Sequence, residues 1–206
     1  MNKHLKVCLT AVALLAILLT GCARKIKYPS YYTLNLPPAA DPPANERVRP
    51  SIAVREFRAP GYLRQGPIVY RTSPEQIGFY EYHRWAVDPR QSITNAVTER
   101  LRASGSFALV KIYDGRTDVD YFLSGRLEKL DEVDYQGGVR VEVELSAQVI
   151  DVHSGKTVWT NSASETAKVD GQNVPAIVAQ MSNMTDRTIE KLLQPLALGT
   201  PARVRQ

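Results

Sequence analysis

Asp151-Val152-His153-Ser154 puts an acid, a base and a hydroxyl nucleophile into four consecutive residues, the side-chain types that acyl-transfer chemistry uses. The spacing argues against that chemistry. A relay needs partners that converge from separate elements, and neighbours on a tight turn do not reach the geometry. With Gly155-Lys156 following, the run reads as the turn of a hairpin. Asp131-Glu132 and Asp134 could offer oxygens to a hard cation, but beside Gly137-Gly138 they read as a solvated strand end. Beyond residue 21 the histidines are His83 and His153 and the cysteine is Cys22, which gives no zinc-ligand spacing. No glycine-rich loop of either phosphate-binding type occurs. The sequence thus predicts a protein that is not an enzyme, without metal, nucleotide or other bound cofactor.

Cys22 is the remaining reactive side chain, and its surroundings give it a role. Lys3, His4 and Lys6 make a short basic segment, and Val7 to Thr20 make an apolar run of 14 residues. That is the pattern of a secretory signal, and it falls short of the roughly 20 residues that a helix needs to cross a bilayer. Leu19-Thr20-Gly21-Cys22 resembles a bacterial lipobox. The resemblance implies a signal peptide over residues 1–21, cleavage before Cys22, and a covalent N-acyl diacylglycerol on that residue. The chemistry suits a thiol, the most nucleophilic side chain near neutral pH. Two or three acyl chains make a stable anchor where one holds only marginally. Cys8 would leave with the signal, so the mature chain has no disulfide.

Loss of Lys3 and Lys6 leaves 24 basic side chains against 21 acidic ones, which is not the balance of a nucleic-acid-binding domain. Arg24, Lys25 and Lys27 follow the lipid site and suit either a solvated tether, placed at residues 22–30, or contact with anionic headgroups.

The elements that must position any site are read from periodicity. Residues 31–36, 51–57, 67–71 and 77–82 read as strands, interrupted by a proline-rich loop at residues 37–50. Asp88 to Ser104 reads as a helix, with Pro89 in its first turn, Ile93, Val97 and Leu101 on one face, Arg90, Thr94, Glu99 and Arg102 on the other, and Gly105 as its stop. Strands follow at residues 107–113 and 118–135, then a turn at Gly137-Gly138. Val139, Val141, Val143, Leu145, Ala147 and Val149 alternate with polar residues, so the next strand has one covered and one wet face. Thr157 to Lys168 returns as its partner. A last helix over residues 173–193 carries Ile177, Met181, Met184, Ile189, Leu192 and Leu193 in one stripe and ends at Pro195. The predicted fold is a single α/β or α+β domain at residues 31–195, with a mixed, largely antiparallel sheet covered by two main helices and a flexible tail at residues 196–206. Seven aromatic residues fall between Phe57 and Trp85; in an extended segment Phe79 and Trp85 share one face and Tyr80 and Tyr82 the other, chiefly as core.

At these residues the sequence resembles a family, the ABC-type transport auxiliary lipoprotein components associated with MCE-domain lipid transport. The resemblance rests on Tyr31-Tyr32-Thr33-Leu34, Ile52-Ala53-Val54, Gly61-Tyr62-Leu63-Arg64, Ile68-Val69-Tyr70-Arg71, and Arg84-Trp85-Ala86 opening the first helix. Two departures stand out: Gly61 replaces the family's proline, and Val87-Asp88-Pro89 sets the acidic-proline pair one position later. The resemblance implies an outer-membrane anchor on the periplasmic side, no catalysis, and partnership with an MCE-domain substrate-binding protein and its ABC transporter. A homo-oligomer is left open. Ala23 stands where an aspartate commonly retains lipoproteins in the inner membrane, in keeping with outer-membrane delivery. The irregular segments around Tyr62, Leu63, Arg64, Tyr70, Arg71, Arg84 and Trp85 are the candidate partner contact, because function gathers on loops more than on core elements. An outer-membrane lipoprotein that regulates cell-wall synthesis through protein contacts is the alternative reading, and a hydrolase the third.

Overall fold

The computed structural model describes residues 26–39, 49–116, 118–135, 137–171 and 173–197. In chain order these form β1 (Ser30–Tyr32), β2 (Ser51–Val54), a 3-10 turn (Gly61–Arg64), β3 (Pro67–Arg71), β4 (Ile77–Trp85), α1 (Pro89–Ser104), β5 (Leu109–Ile112), β6 (Tyr121–Val133), β7 (Arg140–Asp151), β8 (Thr157–Lys168) and α2 (Val174–Ala197).

β6 organises the sheet. β7 pairs antiparallel along its whole length, from Tyr121 opposite Asp151 to Val133 opposite Arg140, and β8 extends the sheet antiparallel beyond β7. The other side of β6 is shared between two groups. β2 pairs parallel with Tyr121, Phe122 and Leu123 and carries β5 outside it. β3 pairs parallel with Glu132 and Val133 and carries β4 and then β1. Between the groups, Arg58 bridges Arg126. This is the expected mixed sheet under two helices, with the long ladders antiparallel.

The alternation in β7 does what period two requires: Val141, Val143, Leu145, Ala147 and Val149 are buried, facing α2. The stripe from Ile177 to Leu193 and the α1 residues Ile93, Val97 and Leu101 complete one core with them. α1 starts at an N-cap, Asp88, whose carboxylate accepts from the Arg90 N–H at 2.9 Å, and stops at Gly105 with φ 62°, the left-handed conformation that glycine adopts without a Cβ clash. In α2 the buried hydroxyls of Thr185 and Thr188 donate to the carbonyls of Met181 and Met184, so no polar atom is stranded there. Phe122, out of phase with Leu123, joins Ala53, Val119 and Tyr113 in a second small cluster on the uncovered face.

Several boundaries differ from the periodicity. The first strand ends at Tyr32 and not at residue 36, because Asn35 N–H donates to Ser182 Oγ of α2 at 3.1 Å and Leu34 turns into the core. β2 likewise ends at Val54, and the Phe57 N–H goes to Thr94 Oγ1 at 3.0 Å. That bond draws Thr94, assigned to the polar face of α1, into the core. β4 runs on to Trp85, so Arg84 and Trp85 close a strand and do not open the helix. Its pairing slips: Val69 lies opposite Phe79, yet Pro67 lies opposite Arg84 where an unbroken ladder would place Glu81. The predicted shared faces fail for this reason, and Phe79 is exposed while Trp85 is buried. Pro195 sits inside α2; the Lys191 carbonyl, whose intrahelical donor the proline lacks, lies 3.5 Å from the Asn161 side-chain amide of β8. Cys22, the signal segment and residues 40–48 of the proline-rich loop lie outside the described residues.

Candidate functional site

The largest departure from expectation is at the end of β6. Asp131 and Glu132, read as a solvated strand end, are 0% and 4% exposed. Strand residues point alternately to the two faces, so two adjacent buried carboxylates mean that both faces are covered here. Each is met by side chains from the aromatic segment. Arg71 of β3 places Nε 2.6 Å from Asp131 Oδ2, and its guanidinium lies over the Tyr62 ring at 5.5 Å. Arg71 Nη2 donates to the Tyr62 hydroxyl at 3.4 Å, and that hydroxyl lies 3.4 Å from the Glu128 carbonyl and 3.5 Å from Asp131. Across the strand, the Tyr80 hydroxyl donates to Glu132 at 2.8 Å. Tyr80 packs its ring on Tyr70 at 5.1 Å and on the edge of His83 at 5.5 Å, and the Tyr32 hydroxyl lies 2.9 Å from His83 Nδ1.

Local sequence explains how the rings fit. Gly78 sits opposite Tyr70, and a Cβ there would lie 2.2 Å from the Tyr70 ring, so the missing side chain makes the space that the ring fills. The pyrrolidine of Pro60 precedes the 3-10 turn, and within that turn Leu63 points into the core while Tyr62 reaches back toward β6.

Burial pushes the Asp131 carboxyl above its ordinary range, and the charge and hydrogen bonds of Arg71 offset that only in part. Glu132 is raised by the same desolvation, against the Tyr80 hydrogen bond. The phenols respond in turn: Tyr80 is raised by burial and by Glu132, and Tyr62 by burial and by Asp131. The network is an anchoring device. It holds Tyr62, Tyr70 and Arg71 in fixed positions at the junction of β3, β4 and β6, with the half-buried rings and the Arg71 edge facing outward.

Of the sequence-derived contact residues, Tyr62 and Arg71 are brought together at Asp131, and Tyr70 lies on the opposite face of β3 against Tyr80. Leu63 and Trp85 are buried and belong to the core, since a contact residue must be reachable. Arg64 is exposed at the turn, and the Arg84 Nη2 lies 3.4 Å from the Gln65 carbonyl. Sequence reasoning missed Asp131, Glu132, Tyr80 and His83. The available signal was the position of Asp131-Glu132 between Leu130 and Val133, an apolar frame unlike that of a wet strand end. The Asp151 to Ser154 run closes a turn: Ser154 N–H and Oγ both donate to Asp151 Oδ1, at 2.7 and 3.0 Å, and the exposed His153 side chain turns away, its Nε2 3.9 Å from Asp120 Oδ1. Among the described residues no group of histidine, cysteine and carboxylate side chains has the arrangement of a metal site, and no helix is long and apolar enough to cross a membrane.

The fold has relatives of known structure. A protein from Xanthomonas campestris superposes with a TM-score of 0.70 at 16% identity, over 82% of this chain and 95% of that one. A second, uncharacterised protein does so with a TM-score of 0.62 at 16% identity, over 82% of this chain and 99% of its own. At such identities the likeness is one of fold. No curated protein matches the sequence significantly. The family model for the ABC-type transport auxiliary lipoprotein component matches residues 32–192, which takes in every strand from β2 to β8, the whole of α1 and all but the last five residues of α2, and the chain belongs to that family.

Proposed function

We propose that this protein is a lipid-anchored, non-catalytic auxiliary component of an ABC transporter that moves lipid, held at the periplasmic face of the outer membrane and docking an MCE-domain shuttle protein there. The observation that carries the reading is the family match across nearly all of the domain. Cys22 after Leu19-Thr20-Gly21 supports the anchor, with residues 1–21 as signal, residues 22–30 as tether and the docking domain after them. The docking surface is the rim formed by Tyr62, Arg64 and Arg71. Tyr and Arg are the side chains that most often dominate interface energetics, and Tyr62 and Arg71 are held in place here by Asp131, so little ordering is required of them on contact.

Two measurements test the reading. Cys22→Ser is expected to leave an unacylated, uncleaved precursor by mass spectrometry of the N-terminus; an unmodified mature chain beginning elsewhere would remove the anchor. Crosslinking the full chain in membranes and capturing it is expected to recover an MCE-domain protein, and Tyr62→Ala/Arg64→Ala is expected to fold yet lose that partner. Recovery of cell-wall synthases in its place would overturn the transport role.

A further inference from the structure

The sheet face turned away from the helices holds a cleft of about 480 Å³, formed where β2 runs out and β6, β7 and β8 continue beneath it. Its charged lining is Arg55, Arg58 and Arg126 against Glu56 alone. Glu56 is engaged elsewhere, 3.8 Å from Arg90 and largely exposed. Arg126 is partly neutralised by Glu128 at 2.7 Å, and Glu128 in turn accepts from Ser146 Oγ at 2.8 Å. Arg58 makes no ion pair or side-chain hydrogen bond among the described residues, and its backbone pairs with Arg126. Arg55 is built in more firmly. Its guanidinium lies 4.4 Å from the Phe122 ring centre and 5.1 Å from that of Tyr113, and its Nε is buried with no hydrogen-bond partner. A stacked guanidinium is oriented before any ligand arrives, and a buried donor left unmatched costs free energy that a bound acceptor returns.

We infer that this cleft binds a phosphate group, with Arg55 and Arg58 as its principal ligands and Arg126 as a third, weaker one. A carboxylate, with two oxygens in one plane, is satisfied by a single guanidinium fork. Donors here approach from two neighbouring strands, the segment after β2 and β6, and the hydroxyl of Ser124 and the amide of Gln148 lie on the floor between. That arrangement suits a tetrahedral anion with acceptor oxygens in several directions. The volume exceeds what bare phosphate fills, so an ester substituent fits beside it over Ile150 and Ala147. The site lies on the uncovered face and is independent of the docking rim, so either can fail without the other.

The test is calorimetric titration of the full chain, held in uncharged detergent micelles at low salt, with inorganic phosphate, glycerol 3-phosphate and dihexanoyl phosphatidylglycerol. Saturable binding at one site per chain is expected, weakened at least tenfold by Arg58→Gln and by Arg55→Gln, and unchanged by Arg187→Gln, which removes an equal charge from the exposed face of α2 outside the cleft. Arg58 is exposed, so its loss reads out binding without disturbing the fold. Phosphatidylglycerol binding much more tightly than glycerol 3-phosphate would identify a lipid headgroup as the source, and equal binding a free phosphate ester; both support the site. No saturable heat with any of the three, or an Arg187→Gln loss as large as that of Arg58→Gln, would overturn it.

Discussion

Arg71→Met removes the partner of a carboxylate that no water reaches. Asp131 is fully buried, and Arg71 is 17% exposed in its side chain. At 2.6 Å and an effective dielectric of about 20, the gross attraction is about 6 kcal/mol. Most of that offsets the desolvation of two ions, so the pair is nearly neutral for stability, but losing one partner leaves the other's desolvation uncompensated, typically about 3–5 kcal/mol. The Tyr62 hydroxyl at 3.5 Å remains as a weak donor, which places the expected loss near 3 kcal/mol, a large part of the stability of an ordinary domain.

The loss has a pH signature. Burial already raises Asp131 above its unfolded value, so the folded protein binds the proton more tightly than the unfolded chain, and ionisation lowers stability. Without Arg71 the carboxyl rises further. The added cost is complete above the new folded value, shrinks as pH falls through it, and vanishes below the ordinary carboxylate range. Urea unfolding of the full chain in uncharged detergent, followed by circular dichroism at neutral pH and near pH 4, measures both terms. Arg71→Met/Asp131→Leu should recover most of the loss. A single mutant within about 0.5 kcal/mol of wild type at neutral pH, or a loss of the same size at both pH values, would refute a buried, charge-coupled pair.

Glu132→Gln keeps an acceptor for Tyr80 and removes a charge raised by burial, so it should stabilise by about 1 kcal/mol at neutral pH. The gain should disappear in melts taken below the usual glutamate range, because both states are then protonated. Val143→Asp puts a charge where Val143 is 1% exposed and should cost several kcal/mol, whereas Glu142→Ala, losing one contact with Lys129 at 3.5 Å, should stay within about 0.5 kcal/mol; thermal melts in the reverse order would mean that β7 faces the other way. Gly125→Ala drives a Cβ to 2.2 Å from the fully buried Phe57 ring and should cost about 1–3 kcal/mol by overpacking, read as a lowered urea midpoint at unchanged slope.

Local pattern was enough wherever one face of an element meets the core and the other meets water. The valine and leucine alternation of β7, the stripe from Ile177 to Leu193, and the Asp88 and Gly105 ends of α1 are legible because periodicity reports which way a side chain points and capping chemistry acts within a few residues. From Gly61 to Arg71 the pattern named tyrosines and arginines without showing which face each would take: Leu63 turned into the core, and Tyr70 and Arg71 to opposite sides of β3. Periodicity cannot report whether a face pointing away from the first layer is covered by a second. Asp131 lies on the wet face of its strand, closed there by Tyr62 and Arg71 from 69 and 60 residues away, and Glu132 on the opposite face meets Tyr80 from 52 residues away; Thr94 is buried because a backbone N–H 37 residues away needs its oxygen. The cleft of Arg55, Arg58 and Arg126 is likewise a product of tertiary structure, since β6 gives one of its sides to two different strands and only folding brings those guanidiniums together. Sequence determined which faces the elements offer; the pairing of distant strands decided which polar groups lie between them, because desolvation depends on what arrives from elsewhere in the chain.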